Sequence, residues 1–73
     1  IKMSKWAIIL LVCSLEAKTC MPPIQLPTQF NDSYDCMVRG YNESLRTIQE
    51  IGRENVNRDG IYIKFVCEKI EVI

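Results

Sequence analysis

Three stretches of the chain carry a hydrophobic pattern, each with a different period. The first, Trp6-Ala7-Ile8-Ile9-Leu10-Leu11-Val12-Cys13-Ser14-Leu15, contains no charge and follows Lys2 and Lys5. A bilayer-spanning helix needs about 20 apolar residues, so this run is too short for a comfortable span. It has the length of a signal-peptide apolar region behind a basic start, with Met3 as the natural first residue. It also fits a buried strand from Lys5 to Cys13, because Ile8, Ile9 and Val12 are β-branched and the run is continuous. Periodicity alone does not separate leader from strand, and a short uncleaved anchor is a third reading. Cleavage after Ala17 or Ser14 would leave Leu15 or Val12 at the third-last position of the leader, where a small residue is preferred.

The second pattern is helical. Tyr34, Val38, Tyr41, Leu45, Ile48, Gly52 and Val56 recur at intervals of three and four, while Arg39, Glu43, Arg46, Glu50 and Arg53 cluster roughly 140° away. Asn31-Asp32-Ser33 supplies capping side chains, and Asp35 adds negative charge to the first turn. The spacing predicts a helix from 33 to 57 with the apolar stripe inward and the charged face solvated. Gly52 either kinks that helix or ends it, leaving Arg53 to Asn57 as a separate turn; Gly40 costs about 1 kcal/mol relative to alanine.

The third pattern alternates. After the stop-and-turn sequence Asn57-Arg58-Asp59-Gly60, Ile61-Tyr62-Ile63-Lys64-Phe65-Val66-Cys67 reads as a strand with Ile61, Ile63, Phe65 and Cys67 on one face. Tyr62, Lys64, Val66 and Glu68 occupy the other face, and Tyr62 with Val66 is the candidate interaction face. All three prolines lie in Met21-Pro22-Pro23-Ile24-Gln25-Leu26-Pro27, which reads as an extended spacer and not as a PxxP ligand. The expected organisation is therefore a head at 1–17, a linker at 18–32 and a helix-turn-strand domain at 33–73. The fold class is α+β, becoming β-α-β if the head is retained, with a right-handed crossover laying the two strands parallel.

Four cysteines in 73 residues change the picture more than any charge does. Cys13, Cys20, Cys36 and Cys67 lie 7, 16 and 31 residues apart, with no C-x-x-C pair to signal a zinc site or a thioredoxin-like centre. A chain this small buries only about 60% of its unfolded surface, so disulfides are the better account. With the head retained, the expected pairing is Cys13 with Cys67 and Cys20 with Cys36, because Cys36 lies on the polar side of the helical stripe where the linker reaches it. Cys36 with Cys67 is the main alternative. A cleaved head would remove Cys13 and leave an odd number.

Composition narrows the chemistry. Nine basic residues balance nine acidic ones, with Lys2, Lys5 and Lys18 against Glu16 alone in residues 1–23, and no histidine is present. Zero net charge offers no footprint for nucleic acid, and the aromatics Phe30, Tyr34, Tyr41, Tyr62 and Phe65 lack the basic surroundings of a base-stacking platform. The lack of histidine removes the usual general base and the commonest metal ligand. No nucleophile has a base beside it, and Asp32 with Asp35 is better explained by helix capping than by cation binding. Asn31-Asp32-Ser33 and Asn42-Glu43-Ser44 match the glycosylation sequon. No catalytic residue, cofactor or metal is expected.

The order Cys13-Ser14, Thr19-Cys20-Met21-Pro22-Pro23, Tyr34-Asp35-Cys36-Met37, Gly40-Tyr41, Glu50-Ile51-Gly52-Arg53-Glu54 and Ile61 to Cys67 resembles short uncharacterised cysteine-containing proteins of marine bacteriophages. The resemblance brings no activity; it implies a viral accessory protein acting in a bacterial host, where the sequons have no role. The sequence leads to a small non-enzymatic protein, secreted, periplasmic or membrane-associated, which is stabilised by disulfides and binds a host or viral protein. Membrane association through the head and a strand-mediated homodimer are further expectations. The alternatives are a cytoplasmic thiol redox or metal-binding module and a lipid-anchored lipoprotein modified at Cys20 or Cys13, although neither cysteine follows the small residue that lipidation prefers.

Overall fold

The apolar run near the start is a strand, and the sheet is built around it. In the computed structural model, which describes residues 3–72, β1 (Met3–Ser14) pairs with a neighbour along both edges. On one side, β4 (Ile61–Val72) runs antiparallel to it in unbroken register from Ser14↔Ile61 to Met3↔Val72. On the other side lie β2 (Thr19–Cys20) and β3 (Ile24–Phe30), also antiparallel. Of the readings open for the head, the strand is the one this fold uses.

The proline stretch is extended, as proline geometry requires, but it is not a spacer. Leu10↔Ile24, Ile9↔Gln25, Ala7↔Gln29 and Trp6↔Phe30 are paired positions, with an irregularity in between that accommodates Pro27. Proline cannot donate to a ladder, so an edge strand with a bulge is where it belongs. The expected parallel arrangement of first and last strands is corrected by the same feature. Because β3 returns the chain before the helix, β4 comes back antiparallel to β1, and the strands linked through the helices, β3 and β4, flank β1 on its two sides.

The helical region is α1 (Ser33–Ile51) followed by α2 (Arg53–Asp59), broken at Gly52 with φ 92°. Asp32 caps α1 by accepting from the Asp35 backbone N–H at 2.9 Å. Gly60, at φ 63°, ends α2 in the left-handed conformation and donates to the Val56 carbonyl before the chain enters β4.

The face of α1 that meets the sheet is not the predicted stripe. Cys36 and Gly40 are buried, whereas Tyr34, Val38, Tyr41 and Leu45 are exposed. Small size decides the matter: a side chain at Gly40 would collide with the Phe65 ring, so only glycine lets α1 approach β4 this closely. Ser44 and Thr47 on the same side satisfy their hydroxyls by donating to the Gly40 and Glu43 carbonyls one turn back, which makes their partial burial inexpensive. The core between helix and sheet is Ile8, Leu10 and Cys36, bordered by Trp6, Leu26, Phe30, Ile63, Phe65 and Cys67.

Candidate functional site

Both disulfides follow from this geometry, and they replace the expected pairing. Cys13 and Cys20 are directly opposed in the β1/β2 hairpin, with Cα atoms 3.9 Å apart, and are bonded to each other. Cys36 points into the sheet, not toward the linker, and bonds to Cys67 on β4 at a Cα separation of 6.1 Å. The pairing of Cys13 with Cys67 fails because antiparallel register places Tyr62, not Cys67, opposite Cys13. Among the described residues no cysteine is free.

Strand alternation puts the two bridges on opposite faces of the sheet. Ile8, Leu10, Ile63, Phe65 and Cys67 face α1, so Ile9, Leu11, Cys13, Tyr62 and Val66 face away from it. The thiols that a four-cysteine metal site would need are thus divided between the two sides of a backbone layer. Among the described residues no group of three or more His, Cys, Asp or Glu side chains converges.

The face turned away from α1 is the candidate functional surface. The pair Ile9↔Val66, with Leu11 beside Ile9 and Tyr62 further along β4, assembles an apolar band. Val66 is 52% exposed, and no helix lies on this side of the sheet. Polar groups flank the band: Gln25 and Gln29 from β3, Lys64 and Glu68 from β4. Lys64 leans over the Tyr62 ring, its Nζ 5.8 Å from the centroid. Tyr62 and Val66, singled out from the sequence, are on this same face, four residues apart along β4. Ile9 and Leu11 escaped notice because a continuous apolar run hides which residues alternate outward; their odd numbering relative to Ile8 and Leu10 was the available signal.

Elsewhere the surface offers little chemistry. An open depression of about 350 Å³ lies where α1 bends into α2, lined by Ile48, Gln49, Arg53, Val56 and Asn57. It holds one cation and no carboxylate or hydroxyl to act with it. The exposed Arg58 and Asp59 pair at 3.1 Å; their hydrogen bond and mutual attraction raise the guanidinium pKa and lower that of the carboxyl. Arg39, Glu43, Arg46 and Glu50 form a ladder of ion pairs along the flank of α1. No helix among the described residues is long and apolar enough to cross a membrane. Two disulfides fit an oxidising compartment. No protein-family model, curated protein or solved structure matches the chain.

Proposed function

We propose that this chain is an exported, non-enzymatic accessory protein that acts by binding another protein through the sheet face bearing Ile9, Leu11, Tyr62 and Val66. The observation that carries the reading is the apolar band left open on a sheet whose other face is covered and disulfide-bonded to its helix. An apolar centre containing an aromatic and rimmed by polar groups is the composition of a protein-binding patch. The chemistry of the patch calls for a partner with its own apolar ridge, long enough to follow the band along the strands. The resemblance to phage proteins implies a host envelope or viral protein as that partner.

The alternative as a thiol redox or metal-binding module in the cytoplasm has less support, since every cysteine is already committed to a bridge. Fractionation of expressing cells, with thiols alkylated before lysis, tests the proposal. An extracytoplasmic product with all four cysteines protected is the expected result. A cytoplasmic product with four alkylated thiols would remove its basis.

A further inference from the structure

The two outer strands of the sheet treat their free edges in opposite ways. The β2–β3 edge carries Pro22, Pro23 and Pro27 and an irregular register, devices that stop a further strand from adding. The β4 edge has none of them: twelve residues without proline, in continuous register with β1. Leu15 N–H donates to the Gly60 carbonyl at 3.0 Å, which sets the alternation of the β1/β4 ladder. The even-numbered positions of β4 bond to β1, and Ile61, Ile63, Phe65, Cys67 and Lys69 turn their backbone groups outward. No strand among the described residues pairs with them.

We infer that a second copy of this chain occupies this edge, β4 against β4 in antiparallel register with the two-fold axis at Val66. The argument rests on what that axis brings together. On the face turned away from α1, Lys64 of each copy falls opposite Glu68 of the other, and Tyr62 opposite Ile70. Among the described residues Lys64 and Glu68 form no ion pair, and four residues of strand hold them about 13 Å apart, out of mutual reach. Across the axis both charges are matched at once. The parity also agrees: the outward groups of Phe65 and Cys67 exchange hydrogen bonds, which makes Lys64 opposite Glu68 a non-hydrogen-bonded pair with its side chains closest.

The helical layer points to the same occupant. Antiparallel edge pairing keeps corresponding faces on the same side, so the two α1 helices lie side by side over the joined sheet. The flanks of α1 differ: the ion-pair ladder of Arg39, Glu43, Arg46 and Glu50 occupies one, and the exposed Tyr34, Tyr41 and Leu45 the other. Tyr41 meets Phe65 of the edge strand edge-on at 4.9 Å, placing the apolar flank on the β4 side. The predicted apolar stripe, which meets its own sheet only through the edge of Tyr41 and is otherwise exposed at Tyr34, Val38 and Leu45, thereby faces its symmetry mate. This inference goes beyond the proposed binding role and stands whatever the open sheet face binds.

Sedimentation equilibrium of the oxidised full chain tests it, with charge reversals at two exposed positions. The expected mass is twice 8.5 kDa. Lys64→Glu and Glu68→Lys, each placing like charges opposite one another twice, should each weaken the dimer about tenfold, and the double reversal should restore it. Leu45→Glu should weaken it through the helical layer. A monomer at all concentrations overturns the inference, as does a dimer whose dissociation constant is indifferent to the single reversals. Circular dichroism of each variant confirms that the monomer fold is retained.

Discussion

Gly40 is the residue on which the packing of α1 depends. In an isolated helix, Gly40→Ala would be favourable by about 1 kcal/mol. Here the added methyl collides with the Phe65 ring, and overpacking of a tight contact typically costs about 1–3 kcal/mol. The collision outweighs the propensity gain, because backbone and ring are both pinned by the neighbouring Cys36–Cys67 bridge. Urea unfolding of Gly40→Ala should show a net loss of up to about 2 kcal/mol, and Phe65→Leu in the same background should recover part of it. Ile8 offers the opposite lesion. It is fully buried at the centre of the sheet, and Ile8→Ala should cost about 2–5 kcal/mol by the same measurement.

At the scale of elements, the two disulfides close loops of very different length. Cys13–Cys20 spans a sequence separation of 7, and Cys36–Cys67 one of 31. Chain entropy assigns them about 2.4 and about 3.7 kcal/mol. Paired replacement by alanine should therefore lower the denaturant midpoint more for Cys36 with Cys67 than for Cys13 with Cys20. Sequence reasoning found the strand at Ile61, the capped helix and the cysteine density, but it favoured one helix from 33 to 57 over the break that Gly52 makes. It mispaired the cysteines because it ranked helix faces by hydrophobicity. Gly40 and Thr47 carry little apolar surface and Cys36 stands outside the stripe, yet all three are small enough to let the helix settle onto β4, whereas Tyr41 and Leu45 fit the stripe by spacing alone. β3 was hidden for a related reason: Pro27 argues against a central strand and is silent about an edge.

The molecule as a whole is elongated, 49 × 20 × 15 Å, with a slender core centred on Ile8 and Leu10. Stability of roughly 0.05–0.15 kcal/mol per residue gives about 4–11 kcal/mol for a chain of this size. The two bridges together are worth a comparable amount in the entropy model, about 6 kcal/mol. Full reduction should leave the chain largely unfolded at 37 °C, visible as loss of near- and far-ultraviolet circular dichroism that returns on reoxidation. A reduced chain that kept its full signal would show that packing alone sustains the fold.

The central position of β1 also orders events in time. The strand that holds the sheet together is made well before its longest partner, β4, with β2, β3 and both helices between them, the pairs running from Ser14↔Ile61 to Met3↔Val72. Contacts so distant in sequence close slowly. A nascent chain therefore carries its most apolar segment without its main partner until β4 has been made, a state that needs shielding from aggregation. On the exported reading proposed above, that same delay would keep the polypeptide threadable, so passage through a narrow translocation channel would precede folding rather than compete with it.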